Sequence, residues 1–390
     1  MSSELITAII FLFILTLIFF ATKKHATIQK IFFPFYIIMY KTQFGVKLMK
    51  FVGTRFRRPV IILGYIAFVA GVLGVLFVFF SLFHFIFQII LHPEVATEAG
   101  VQIALPGLLS IPGLGKLGFW HWIISIFVLA VVHEFSHGIV AIAHKFKIKS
   151  SGPALFAALI PIIPAAFVEP DEKKLAKASD IKKYSVFAAG PVSNIVTGVI
   201  FLLLVMFLLT PIYLNSTEPL GISFNSTNMT VPSYPAFKDM TTYNKVNGRQ
   251  ALDATVLLEE IEKMQPGDII TFANDEVEHS ITSVPHPTEP DKPYLGITNI
   301  NNERRYYNET FGSFFDWLKL LFLWLFFLNF FIGLANLLPL GPVDGGLILR
   351  TFLERVFRKN KKFAINLWAG ISLFTLLLII AAFVIPFLLR

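Results

Sequence analysis

Six long apolar runs dominate this sequence and restrict what it can fold into. Each reaches the roughly 18 or more apolar residues that indicate a membrane span. The chain is 55% hydrophobic, with a mean hydropathy of +0.69, and a soluble domain is not this apolar. The sequence therefore predicts a mainly α, polytopic membrane protein with about six transmembrane helices, at residues 5–22, 59–91, 119–144, 185–213, 313–338 and 363–389.

Two N-terminal stretches need separate interpretation. The run at 5–22 has no basic residue before it and no small-residue cleavage site, so we expect a retained span rather than a signal peptide. Residues 31–40 are apolar but too few to cross a bilayer. We expect this second stretch to lie in the membrane interface or to dip into it.

Basic and non-basic loops alternate along the chain, which predicts its orientation. Residues 23–58 hold nine Lys/Arg and no acid, whereas residues 215–310 hold seven Lys/Arg against 14 Asp/Glu. By the positive-inside rule, 23–58, 145–184 and 339–362 face the cytoplasm and both termini face out. Because the net charge of +8 is concentrated beside the spans, it indicates a lipid bilayer and not nucleic acid as the partner.

One segment is long and polar enough to form a soluble domain. Residues 215–312 combine short strand-like runs with one helical repeat, which predicts a small external α/β domain. Asn-x-Ser/Thr sequons are usable only on an external face, and chance in an Asn/Thr-rich loop is the alternative explanation. The sequons begin at Asn215, Asn225, Asn228 and Asn308.

The third apolar run contains the pattern HExxH, as HEFSH at residues 133–137. Residues four apart lie on one face of a helix, so His133 and His137 can reach one metal ion. Zinc accepts imidazole and carboxylate ligands and keeps a position for water in catalytic sites, where Glu134 can act as general base. The chain has no cysteine, which excludes thiolate-ligated zinc. The alternative is a pair of packing histidines, although ionisable groups inside an apolar helix are costly.

A third ligand is expected from GLANLLPLGPVDGG at residues 333–346. Asp344 is the acid near the C-terminal end of the fifth run, among prolines and glycines that break a helix. Asn336 lies eight residues earlier, and its amide can donate to the oxyanion of a tetrahedral intermediate. The alternatives are a helix N-cap for Asp344 and an inter-helix hydrogen bond for Asn336. His121 and His144 are expected at the membrane interface and not on the metal.

These motifs resemble the site-2 protease family of intramembrane zinc metalloproteases. The resemblance rests on HEFSHG at 133–138 and NLLPLGPVDGG at 336–346, in that order and on separate spans. It is supported by AGPVSN at 189–194. The stretch AAFVEPDEKKLAKAS at 165–179 is most similar to archaeal members. Together these motifs cover roughly residues 119–350.

The resemblance implies a metal centre, a substrate class and two structural features. The substrate would be a transmembrane segment of another protein. The segment near 150–168 would form a membrane-associated, re-entrant β-hairpin. The implied site consists of Zn²⁺ held by His133, His137 and Asp344, with Glu134 as catalytic base, Asn336 as transition-state stabiliser, and Gly190 and Asn194 packing or lining the site.

The external segment resembles a PDZ-like domain, through YPAFKDM (234–240), KVNG (245–248) and QPGDIITFAN (265–274). Peptide capture and exclusion of substrates with bulky ectodomains are both open roles for it. The predicted organisation is N-terminal transmembrane helices at 1–118, a catalytic core with HExxH and the re-entrant segment at 119–214, the external domain at 215–312, and C-terminal transmembrane helices with the third ligand at 313–390.

Two other functions compete with this one. An HExxH membrane protease of another family usually takes a glutamate as third ligand, and Glu169 or Glu172 would then have to serve. A non-catalytic membrane receptor or transporter that retains a metal site is the alternative outside the enzymes.

Overall fold

A computed structural model describes residues 3–32, 35–92, 104–158, 160–225 and 241–388. The chain divides into two compact units, one of Met1–Val205 with Leu318–Arg390 and one of Met206–Trp317. Six helices among the described residues are long and apolar enough to cross a membrane. The predictions of a mainly helical fold and of six membrane-spanning helices are therefore confirmed.

Helices make up most of the described chain. A π-helical turn at Val205–Leu209 follows α6, and a 3-10 turn at Lys23–His25 follows α1. The helices are α1 Ser3–Thr22, α2 Val46–Arg55, α3 Arg57–Leu91, α4 Phe119–Ala143, α5 Glu172–Ala176, α6 Asp180–Leu204, α7 Thr210–Asn215, α8 Ala254–Lys263, α9 Glu309–Ala335, α10 Asp344–Val356 and α11 Lys361–Leu388.

Small residues let the central helices of the larger unit approach closely. A Cβ on Gly71 of α3 would lie 2.8 Å from the Cβ of Ala188 on α6. Lipid offers no hydrophobic driving force between helices, so such close van der Waals packing is what holds membrane helices together. Arg57, at the start of α3, donates its Nε–H to the carbonyl of Ala143, 2.9 Å away, and so satisfies the end of α4.

The larger unit also contains a four-stranded antiparallel sheet in the order β1-β2-β5-β6. Within the stretch expected in the interface, residues 31–32 end β1 and residues 35–39 form β2, which pairs with β1. Among the described residues, the strand β6 is paired on one side only and forms an edge of the sheet. The strands of the unit are β1 Thr27–Phe32, β2 Phe35–Met39, β3 Ser110–Ile111, β4 Gly115–Lys116, β5 Ile148–Ala158 and β6 Ile160–Pro170.

The smaller unit is built from short strands and the helix α8. Its sheets have the orders β10-β9-β11-β12, β15-β7-β8 and β13-β14, around a core that includes Phe224, Tyr243, Leu257 and Phe272. Its strands are β7 Thr217–Asn225, β8 Thr241–Tyr243, β9 Lys245–Val246, β10 Arg249–Gln250, β11 Ile269–Ala273, β12 Glu278–Thr282, β13 Val284–Pro285, β14 Pro293–Tyr294 and β15 Thr298–Tyr306. YPAFKDM and the sequon asparagine Asn228 lie outside the described residues.

Candidate metal centre

Helix α4 brings two imidazoles together, as the spacing of HExxH predicts. The Nε2 atoms of His133 and His137 lie 3.1 Å apart, and the side chains are 13% and 16% exposed. Alanine, valine, isoleucine and phenylalanine flank the motif, so the polar face is set in an otherwise apolar helix. Two mostly buried imidazoles that face each other at this distance need either a shared proton or a shared cation.

The carboxylate of Asp344 completes the cluster from a different part of the chain. Its Oδ2 lies 3.0 Å from Nε2 of His133 and 3.4 Å from Nε2 of His137. Asp344 is the first residue of α10, and the loop before it is closed by a hydrogen bond from the Gly345 N–H to the carbonyl of Asn336, 2.8 Å long. A Cβ at position 345 would overlap the Leu337 carbonyl, so a glycine is required there.

These three side chains fit the coordination of a divalent metal. One ligand atom from each lies within 4.8 Å of the other two. A tetrahedral ion with bonds of about 2.0–2.1 Å separates its ligands by about 3.3 Å, close to the ligand–ligand distances observed. Two imidazoles and one carboxylate leave a fourth position for water, which is the arrangement of a catalytic site. The rival ligand Glu169 bonds instead to Lys41 and Ser150.

A backbone carbonyl on α6 orients His137. Its Nδ1 lies 2.7 Å from the oxygen of Val186. A carbonyl can only accept, so Nδ1 carries the proton and the lone pair of Nε2 is directed to the cluster. Sequence reasoning missed Val186, because its side chain takes no part and no residue type signals the contact.

The side chain of Asn194, also on α6, contacts His133. Asn194 is fully buried, and its Nδ2 lies 3.1 Å from Nδ1 of His133. Its Oδ1 is buried without a hydrogen-bond partner among the described residues. If His133 binds a metal through Nε2, its Nδ1 carries a proton. Rotating the Asn194 amide by about 180° would place Oδ1 where it accepts that proton in a hydrogen bond. Asn194 therefore fits as the second orienting group of the centre.

Helix α6 passes directly over the cluster at Gly190. A Cβ there would overlap Nε2 of His137 and would lie 2.7 Å from Nε2 of His133. Any larger residue would occupy the space in which the metal has to bind. The family resemblance implies that Gly190 and Asn194 pack or line the site, and the structure gives each a specific contact.

Glu134, between the two histidines in sequence, contacts the sheet. Its Oε2 accepts a hydrogen bond from the backbone N–H of Val168 on β6, 2.9 Å away. A groove of about 370 Å³ opens beside it between α4 and the hairpin β5–β6, with an almost wholly apolar lining that includes Phe127, Val131 and Phe135. The carboxylate is thus positioned at the wall of a groove.

The remaining residues singled out in the sequence lie as follows. Asn336 follows α9 in the loop that carries Asp344, and its carbonyl accepts from Gly345. His144 is buried at the end of α4, with Nε2 3.2 Å from the hydroxyl of Ser185. His121 is also buried. The metal-ligand group found among the described residues contains neither histidine.

Comparison with known proteins places this cluster in a family. Residues 121–379 match the sequence model of Peptidase family M50. An uncharacterized protein of Methanocaldococcus jannaschii, MJ0971, is 24% identical over 257 residues, which cover 65% of this chain and 62% of that protein. The chain thus matches less than two thirds of that relative's length. The matched region contains the HExxH helix, the sheet edge and the Asp344 loop, and the chain belongs to Peptidase family M50, the site-2 protease family of metallopeptidases.

Proposed function

We propose that this chain is a zinc endopeptidase that cleaves transmembrane segments of other membrane proteins. The observation that carries the proposal is the convergence of His133, His137 and Asp344 beside Glu134 within a set of membrane-spanning helices. The family contributes the class of reaction, peptide-bond hydrolysis with a metal. In this proposal Zn²⁺ is held by the two Nε2 atoms and by the carboxylate of Asp344.

The chain's own residues supply the proton transfers. When bound, zinc acts as a Lewis acid that polarises a carbonyl and lowers the pKa of water. Glu134 keeps one carboxylate oxygen free of the Val168 bond, and that oxygen takes the proton of the attacking water as the water oxygen bonds to the scissile carbon. Glu134 then gives the proton to the amine nitrogen as the C–N bond breaks. The amide of Asn336 donates to the developing oxyanion.

We propose that the substrate is held as a strand against β6. A helical peptide bond is hydrogen-bonded internally, so a transmembrane substrate must unwind before it can be cut. The edge of β6 offers unpaired backbone groups next to Glu134, and strand addition satisfies both chains. Residues 150–168 contain no charged side chain, which supports a hairpin that dips into the membrane as a re-entrant segment.

The orientation we propose follows from the charges of the loops. The segments 23–58, 145–184 and 339–362 are the basic ones, so they face the cytoplasm, and the metal centre lies toward that side. Residues 215–312 are then external. KVNG comprises β9 and the two-residue turn to β10, and QPGDIITFAN contains β11, which is compatible with a PDZ-like domain. Capture of a substrate tail and exclusion of bulky ectodomains are both possible roles.

The test is metal content and cleavage measured on the same preparations. The full chain is purified, its zinc is quantified, and a membrane peptide is offered in vesicles to the wild type, Glu134→Gln and Asp344→Asn. We expect about one zinc per wild-type chain, and in Glu134→Gln retained zinc with cleavage reduced by about 10²–10⁴-fold, the usual contribution of a general base. Asp344→Asn should lose both zinc and activity.

Two outcomes would contradict the proposal. Stoichiometric zinc without cleavage of any membrane peptide would favour a metal-containing receptor or transporter. Full zinc binding and activity in Asp344→Asn, with loss of both in Glu169→Gln, would favour an HExxH protease with a different third ligand.

A further inference from the structure

The helix α2 has one face committed to the protein. Val46, Met49 and Gly53 are buried and form a stripe at helical spacing. A Cβ on Gly53 would lie 2.8 Å from the carbonyl oxygen of Ile139, so α2 is packed tightly along the last turns of α4. Val52 also packs against the core, and the opposite side of the helix faces outward.

The outward surface of α2 consists of an apolar arc and a basic arc. Leu48 and Phe51 are 57% and 59% exposed, and Phe44, just before the helix, is 73% exposed. Lys47 and Lys50 occupy a neighbouring arc, three residues apart and both exposed. Large apolar side chains exposed beside a basic stripe are the pattern of a helix that lies in a membrane interface.

A depression at the start of α2 combines both properties. It measures about 720 Å³ and is lined by Phe44, Gly45, Lys47, Leu48, Phe135 and Gln43. Its shape depends on Gly45, which has a φ of 74° and lies so close to the ring of Phe135 that a Cβ would overlap it. The site therefore has apolar walls and a lysine at its rim.

Lys47 and Lys50 have no anionic partner among the described residues. Neither Lys47 nor Lys50 makes an ion pair or a side-chain hydrogen bond within the part of the chain that the structure describes. Residues 23–58 contain no Asp or Glu. An anionic lipid headgroup offers a countercharge for these lysines, and its acyl chains match the exposed phenylalanines beside them.

We propose that α2 is a binding site for anionic phospholipid of the surrounding bilayer, with the headgroup at Lys47 and Lys50 and the acyl chains against Phe44, Leu48 and Phe51. An acidic segment of another protein would satisfy the charges but not the apolar arc. The proposal requires neither bound metal nor proteolysis, so it stands or falls independently of the proposed activity.

The first experiment measures where α2 lies. The chain has no cysteine, so Phe51→Cys introduces a unique labelling position, and Lys263→Cys on exposed α8 serves as the control. Both full-length variants are labelled with an environment-sensitive dye in vesicles that contain phosphatidylglycerol. We expect lipid-borne bromine to quench the label at 51 and aqueous iodide to quench the label at 263. Iodide quenching at 51 as strong as at 263 would overturn the proposal.

The second experiment measures lipid selectivity. Full-length protein in nanodiscs of mixed phosphatidylcholine and phosphatidylglycerol is compared for the wild type, K47Q/K50Q and K245Q/K263Q, which has the same change in net charge. We expect the preference for spin-labelled phosphatidylglycerol to fall by about fivefold per lysine in K47Q/K50Q, since each basic residue at an anionic surface contributes about 1 kcal/mol. The control should keep the wild-type preference. Equal preferences in the two double variants would overturn the proposal. That result would also be expected if the two lysines bind an acidic peptide rather than lipid.

Discussion

The carboxylate of Glu134 accepts a hydrogen bond from the backbone N–H of Val168, 2.9 Å away. Helix α4 and the edge strand β6 are therefore joined at the residue proposed as general base. Backbone groups of a strand alternate in direction, so Ala166, two residues before Val168, also points its N–H away from β5. Pro164 has no N–H to offer.

Replacing Ala166 with proline should separate substrate capture from metal binding. Ala166→Pro removes an N–H that points away from β5. No hydrogen bond between β5 and β6 is lost, because Ala166 and Pro153 form a non-hydrogen-bonded pair whose backbone groups face away from each other. We expect cleavage of a transmembrane peptide to fall by about fivefold, as one charge-neutral hydrogen bond contributes about 1 kcal/mol. Zinc content should be unchanged, and Ala166→Val is the control. Wild-type cleavage by Ala166→Pro would exclude strand addition at this position.

Removing the side chain of Asn194 should weaken metal binding without removing a ligand. Asn194→Ala leaves Nδ1 of His133 without its partner, and loss of an outer-shell partner weakens metal binding by roughly 10- to 100-fold. Zinc affinity is measured by competition with a chelator. The matched control is Asn329→Ala, which also removes a buried asparagine, but one that donates to Leu325 within its own helix. If both variants lose zinc affinity to a similar extent, the cause is general destabilisation and not the contact with His133.

A methyl group at position 190 should block the centre sterically. In Gly190→Ala the added Cβ would overlap Nε2 of His137, so we expect loss of zinc and of cleavage together. Gly370→Ala is the control, because a Cβ at that position in α11 would meet no described atom within 4 Å beyond its chain neighbours and the adjacent backbone of the same helix. The control should be as stable as the wild type or more stable by up to about 1 kcal/mol, the difference in helix propensity. Normal zinc content in Gly190→Ala would show that α6 can move away from the cluster.

The bond network of Glu169 predicts a pH dependence of stability. Hydrogen bonds from Ser150 and Lys41 lower the pKa of Glu169 below its usual 4.5. A carboxyl whose pKa is lower in the folded state stabilises the fold above its unfolded pKa, and that contribution disappears as the pH falls through the folded pKa. We expect thermal unfolding at pH 6 to show that the wild type is more stable than Glu169→Gln. The difference should be less than about 1 kcal/mol, because the ion pair of Glu169 with Lys41 is partly exposed to solvent. The difference should shrink steadily below pH 4.5, and a difference that grows on acidification would contradict the assignment.

The sequence predicted the parts of the centre that depend on local periodicity. Four-residue spacing on a helix fixes the pairing of His133 with His137, and apolar run length fixes the six membrane-spanning helices. The convergence of Asp344 on the pair was a hypothesis from the order of motifs, and a break in helical structure marked its location. These features depend on the identity and spacing of side chains, so they can be predicted from a single sequence.

Contacts made by the backbone could not be predicted in this way. The carbonyl of Val186 and the N–H of Val168 hold His137 and Glu134, but every residue except proline carries both groups. The pairing of β2 with β5 joins residues more than 100 positions apart, and no local pattern specifies such a partner. For the same reason the burial of His144 beneath α6 was not foreseen.

The prolines of β6 limit self-association of the protein through its sheet edge. An open sheet edge is a template on which a second identical chain can build, and membranes confine proteins to a crowded plane. Pro164 and Pro170 interrupt the row of backbone N–H donors on that edge, so the β6 strands of two copies cannot pair along their whole length. If β6 binds substrate as proposed, these prolines leave only a short stretch of its backbone open to a peptide and so limit pairing between copies of the chain.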